Sequence, residues 1–94
     1  MSIKVRIPTP LRKMTGGKSG IEVEANNIRQ MIDNMESQFP GIKENLCDNE
    51  GNLKRFINIY LGDDNIVDLD KMNTQLKEGI EVSLVPAIAG GVFQ

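Results

Sequence analysis

Residues 21–41 read Ile21-Glu22-Val23-Glu24-Ala25-Asn26-Asn27-Ile28-Arg29-Gln30-Met31-Ile32-Asp33-Asn34-Met35-Glu36-Ser37-Gln38-Phe39-Pro40-Gly41, and the hydrophobic period changes once inside them. Up to Ala25, apolar and charged residues alternate, which is the period-two pattern of a half-buried strand. From Asn26 onward Ile28, Met31, Ile32, Met35 and Phe39 recur at spacings of three, four and seven, which gathers them on one face of an α-helix. Asn26 or Asn27 supplies its start, because a short side-chain acceptor satisfies a backbone N–H that the first turn leaves unpaired. Pro40-Gly41 ends it. A strand followed by one amphipathic helix sets the requirement for the rest of the chain, a sheet for that helix to cover.

Working outward, Ile3-Lys4-Val5-Arg6-Ile7 also alternates, with Ile3, Val5 and Ile7 facing inward. Between the two strands Pro8, Pro10 and Gly16-Gly17 interrupt any regular structure, so Pro8–Ser19 reads as the long tip of a hairpin, made basic by Arg12, Lys13 and Lys18. Downstream of the helix, Ile42 and Leu46 make a short additional turn and Asp48-Asn49-Glu50-Gly51-Asn52 a loop. Leu53–Leu61 returns to strand character with bulk on both faces: Ile57, Ile59 and Leu61 on one, Phe56, Asn58 and Tyr60 on the other. A turn at Gly62–Asn65 leads to a short strand at Ile66-Val67, an irregular link around Leu69, Met72 and Leu76, and a turn at Lys77-Glu78-Gly79. The last strand, Ile80–Val85, puts Val82 and Leu84 inward.

The order strand, strand, helix, strand, short strand, strand gives an α+β fold in which one main helix packs on one face of a four- to five-stranded mixed sheet. That arrangement is the β-grasp, with the other sheet face in water. If the third and last strands are neighbours, Phe56, Tyr60 and Val85 meet on the open face, either as a docking surface or as packing under a loop.

Composition narrows the chemistry. Thirteen acidic against eleven basic residues in 94 give a net charge of −2, one small domain without the cationic surplus that nucleic acid demands. No apolar run is long enough to span a membrane, and Met1-Ser2-Ile3-Lys4-Val5-Arg6 lacks the hydrophobic stretch of a signal peptide, so the expected location is the cytoplasm. Cys47 is the single cysteine and there is no histidine, which removes Ser-His-Asp and Cys-His catalysis and the usual zinc ligand sets. Cys47 itself reads as a small buried or half-buried residue rather than a redox or persulfide site. Gly17-Lys18-Ser19 resembles the end of a phosphate-binding loop, but the glycine such a loop needs falls on Arg12. Asp63, Asp64, Asp68 and Asp70 lack the central glycine and terminal glutamate of a calcium loop and read as a solvated turn. Most hydrolase and metalloenzyme readings fall on these counts.

The carboxyl end reads Val85-Pro86-Ala87-Ile88-Ala89-Gly90-Gly91-Val92-Phe93-Gln94. Small residues and two glycines make a slender, flexible segment able to thread a narrow channel, which divides the chain into a β-grasp domain, 1–87, and a tail, 88–94. Together with Val5-Arg6-Ile7-Pro8-Thr9-Pro10-Leu11-Arg12, Thr15-Gly16-Gly17, Arg55-Phe56-Ile57-Asn58-Ile59-Tyr60 and Glu78–Gly91, this end resembles the ubiquitin-like sulfur carriers of the MoaD/ThiS superfamily. The likeness is greatest to members that serve a cysteine synthase.

The resemblance implies a non-enzymatic carrier. A partner enzyme adenylates the terminal glycine carboxylate with ATP and sulfur replaces AMP, leaving a thiocarboxylate that donates sulfur in cysteine or homocysteine synthesis. Gly91 would carry the group, and Gly90 would keep the approach narrow. Phe56, Tyr60, Val85, Pro86 and Ile88 would meet the partners. Val92-Phe93-Gln94 departs from that pattern and implies a precursor cut between Gly91 and Val92 by a JAMM-type zinc metalloprotease. ATP and zinc would belong to the partner enzymes. Two other readings stand beside this one: a protein modifier joined to lysines through Gly91, and a plain binding module. Carriers for molybdopterin and thiamine synthesis share the same architecture.

Overall fold

Strands form where the period is two, and the chain between them turns on side-chain and glycine devices. The computed structural model describes residues 1–55 and 57–86. β1 (Ser2–Arg6) and β2 (Gly20–Glu24) pair antiparallel, Ile3 opposite Val23 and Val5 opposite Ile21. α1 (Ile28–Gln38) follows, then α2 (Ile42–Leu46), β3 (Ile57–Leu61), β4 (Asp64–Asn65) and β5 (Glu81–Pro86). The strands lie in the order β2-β1-β5-β3-β4. β5 runs parallel to β1 and antiparallel to β3, so the last strand occupies the centre of a mixed sheet. The β-grasp expectation holds.

α1 starts as its sequence requires. Asn27 is the capping residue, its side chain accepting from Gln30 N at 2.8 Å, while Gln30 Oε1 accepts from Asn26 N at 2.9 Å. This reciprocal pair satisfies two donors at the helix entry. Ile28, Met31, Ile32 and Met35 are all buried against Ile3, Val5, Val23, Ile57, Ile59, Val82 and Leu84 of the sheet. Phe39 only borders this core. Asn27→Ala is expected to lower stability by about 1 kcal/mol, read as a shift in the urea midpoint.

Several boundaries differ from the sequence reading, each for a local reason. The tip between β1 and β2 is ordered as a 3-10 helix, Thr9–Thr15. Pro10 sits in its first turn, where a missing N–H costs nothing. Gly16, at φ 68°, closes the turn, and Gly17 N donates to Arg12 O at 2.7 Å. Thr15 is fully buried, its hydroxyl lying 3.1 Å from Arg12 O and 2.9 Å from Lys18 O. The Thr15-Gly16-Gly17 motif is thus the device that folds this tip back on itself.

The third strand begins at Ile57 rather than Leu53, because Lys54 N donates to Leu46 O and Ile57 N to Lys54 O. Those bonds turn 53–55 around the end of α2. The short strand falls on Asp64–Asn65 instead of Ile66-Val67. Asn65 accepts from Val67 N at 3.0 Å and bends the following residues, Ile66–Asp68, into a 3-10 turn. The link beyond carries another such turn, Lys71–Asn73, with Met72 and Leu76 buried and Leu69 exposed. Ile80 stays out of the last strand because its N–H donates to Lys77 O.

Candidate functional site

β5 leaves the sheet at Pro86, flanked by the end of β1 on one side and the start of β3 on the other. Ile57 lies opposite Pro86, and Arg6 opposite Ser83. Whatever follows Pro86 therefore starts from the middle of one end of the sheet, close to the 8–19 tip and the 53–55 turn.

The open face has the composition of a modest docking patch. Asn58, opposite Val85, and Tyr60, opposite Ser83, point away from α1. Tyr60 and Val85 are thus diagonal neighbours, about 7 Å apart along the pleat and within reach of an aromatic ring. Val85 is 38% exposed and Tyr60 half-buried. Arg6 joins this face, 3.6 Å from Glu81 through Nη1 and Oε2. An apolar centre with a polar rim is the anatomy of a transient protein interface. Of the expected contact residues, Tyr60 and Val85 fall on this face, whereas Pro86, paired with Ile57, lies at the end of the strand on the side of Leu84. Phe56 and Ile88 lie outside the described residues, as do Gly90, Gly91, Val92 and the whole tail 88–94.

Two side chains position this end in ways the sequence reading does not assign: it counts Arg12 only as part of the basic tip and gives Glu36 no role. Arg12 Nε donates to Ile7 O at 3.1 Å, tying the tip to the end of β1. Glu36 accepts from Lys43 N at 2.9 Å and from Gly41 N at 3.0 Å, and these N–H groups hold its carboxyl below the usual carboxylate pKa. It clamps the turn into α2, where Gly41 has φ 102° and lies against Met14 of the tip.

Cys47 is buried at the end of α2, and burial pushes its thiol pKa up. The thiolate is the reactive form, so this residue is held inert. Alkylation by iodoacetamide near pH 8 should run at least about tenfold slower on the folded chain than in denaturant, followed by intact mass. Among the described residues no group of three His, Cys, Asp or Glu side chains could hold a metal ion, and no helix is long and apolar enough to cross a membrane.

Comparison with known proteins decides what this arrangement is. The model of the ThiS family matches residues 5–91. The chain belongs to the ThiS family. Sulfur carrier protein CysO of Mycobacterium tuberculosis is 36% identical over 93 residues, covering 97% of this chain and all of that one. Small archaeal modifier protein 3 of Haloferax volcanii is 28% identical, again over 97% of this chain and all of the relative. Among solved structures, a chain of the Amycolatopsis orientalis BexX/CysO complex superposes with a TM-score of 0.88 at 37% identity, covering 95% of this chain and 99% of that one. The protein is a ubiquitin-like sulfur carrier of the CysO type.

Proposed function

We propose that this carrier is made as a precursor, is trimmed to Gly91, and carries sulfur there as a thiocarboxylate for cysteine or homocysteine synthesis. The supporting observation is that similarity to the ThiS family runs through β5 and on to Gly91, and stops there. Water hydrolyses the Gly91–Val92 peptide bond on a JAMM-type zinc protease and releases Val-Phe-Gln. The freed carboxylate oxygen attacks the α-phosphorus of ATP on an adenylating enzyme, and pyrophosphate leaves. A sulfide equivalent attacks the acyl carbon, AMP leaves with the bonding pair, and Gly91 ends as a thiocarboxylate. That sulfur is the nucleophile offered to a small acceptor on a cysteine- or homocysteine-forming enzyme.

Activation is needed because a carboxylate is a poor electrophile, its charge being spread over two oxygens that are poor leaving groups. The contribution of the chain is mechanical: the sheet fixes the root of the tail, Tyr60, Val85 and Pro86 dock on the partner, and Gly90 keeps the thread slender. Neither ATP nor zinc is held by this chain. The test mixes the chain ending at Gly91 with ATP, sulfide and its adenylating enzyme, and reads by mass spectrometry whether one oxygen of the C-terminal peptide becomes sulfur. An unchanged mass overturns the proposal.

The likeness to an archaeal modifier protein favours a second reading, conjugation of Gly91 to lysines of other proteins. Denaturing gels of cell extract separate the two, since a ladder of covalent adducts belongs to the modifier and free thiocarboxylate to the carrier.

A further inference from the structure

Formal charge is distributed unevenly over this fold, and the topology decides where the cations fall. From Val82 to Gln94 the chain has no charged side chain. The two segments that flank the exit of β5 in the sheet are the 8–19 tip after β1 and the 53–55 turn before β3. They carry Arg12, Lys13, Lys18, Lys54 and Arg55 and no Asp or Glu. At the opposite end of the sheet lie Glu24, Asp63, Asp64, Glu78 and Glu81, with Lys77, the terminal amine, Lys4 opposite Glu81 and Arg6 ion-paired to Glu81 as the nearby cations. Acidic side chains border this basic end from outside the two segments: Glu36, Glu44 and Asp48 share a hollow with Lys54, Asp70 shares one with Lys54 and Arg55, and Glu22 one with Lys18.

Lys13, Lys18 and Arg55 are exposed. They are also presented by built backbone: Thr15, Gly16 and Arg12 fold the tip, and the bonds to Leu46 and from Ile57 fold the 53–55 turn. Net charge says little about such a molecule, because −2 hides one positive and one negative end. Long-range forces act on the local field and orient the chain before contact. No side chain of the tail gives them a handle, and its terminal carboxylate is a single charge at the far end, so the orientation of the domain is set by what surrounds the root of the tail.

We propose that this basic end is an electrostatic docking collar, which fits an acidic protein rim around the mouth of the channel that receives the tail. The inference rests on the proposed carrier function and adds how the tail is aimed. Every enzyme that takes the terminus has to meet the collar, so two such partners exclude each other on one carrier.

The experiment uses the adenylating enzyme as probe and measures both association by stopped flow and ATP-dependent activation of the chain ending at Gly91. Lys13→Glu, Lys18→Glu and Arg55→Glu are combined, with Glu24→Lys and Asp63→Lys at the other end as control. The expected result is a fall in association rate and kcat/KM of at least about tenfold for the triple variant in about 50 mM salt, shrinking towards about 300 mM, with kcat unchanged. Circular dichroism establishes that each variant is folded, and the single exchange Lys13→Ala, expected to show a smaller effect of the same sign, serves if the triple is not. Normal activation with association indifferent to salt and to charge reversal overturns the collar and leaves the carrier function standing. Salt-dependent association without any activation overturns the carrier chemistry and leaves the collar standing. Absence of both, or binding of the triple-sensitive chain to a single-stranded RNA oligomer in place of the enzyme, overturns the collar as an organ of protein docking.

Discussion

A chain ending at Gly91 is expected to be activated at least about a hundredfold faster than the chain that continues through Val92-Phe93-Gln94, and the longer chain to give no detectable thiocarboxylate. Three extended residues place the free carboxylate about 10 Å beyond Gly91, at roughly 3.3 Å each. Positioned chemistry loses about two orders of magnitude for a misplacement of a single ångström, so a peptide bond at the reaction point in place of a carboxylate is a complete block. The docking surface is unaffected, because Tyr60 and Val85 lie on the sheet upstream of the change. The tailed chain should therefore bind the adenylating enzyme and inhibit activation of the trimmed one. Pyrophosphate exchange measured on both chains, with the tailed one also added as competitor, reads the two effects separately. Equal activation of the two would show that trimming is not a step in the pathway. Activation restored by the matching protease would place hydrolysis before adenylation.

How far the sequence foretold this depends on whether a feature is local. α1 was legible because five apolar residues share one 3.6-residue period and Asn27 caps it with its own side chain. The inward faces of β1, β2 and β5 were legible for the same reason, each with a period of two over five or six residues. The 3-10 turns at Thr9–Thr15, Ile66–Asp68 and Lys71–Asn73 were not, since one or two turns of i to i+3 bonding leave no hydrophobic period behind. β4 was misplaced by two residues because Asn65 could serve either a ladder or the Val67 N–H, and it does both.

At the site, the adjacency of Tyr60 and Val85 followed once β3 and β5 were taken as neighbours. The grouping of Lys13 and Lys18 with Arg55 did not, because it depends on β5 inserting between β1 and β3, a pairing of segments far apart in sequence. The role of Gly91 was legible only through family resemblance. Physics alone shows a thin segment without charged side chains there and says nothing of sulfur.

Ile59→Ala should lower the unfolding free energy by about 2–5 kcal/mol, a large part of the about 5–15 kcal/mol that holds a domain together. Ile59 is 0% exposed and sits opposite Leu84, with their side chains directed at the helix layer. Truncation removes three carbons from a seam that α1 closes from above, and neighbours fixed in a hydrogen-bonded ladder cannot collapse far into the gap. A small domain has one core and no second one to compensate. Val85→Ala, one pairing position away on the opposite face, should change stability by no more than about 0.5 kcal/mol. Urea titrations of the two variants, followed by far-ultraviolet circular dichroism, should show a large fall in midpoint with unchanged slope for Ile59→Ala and almost none for Val85→Ala. A loss below about 1 kcal/mol at Ile59 would mean that the helix does not bear on the centre of the sheet. The root of the tail would then lack its rigid mount, since β5 is held in place by the same seam that Ile59 fills.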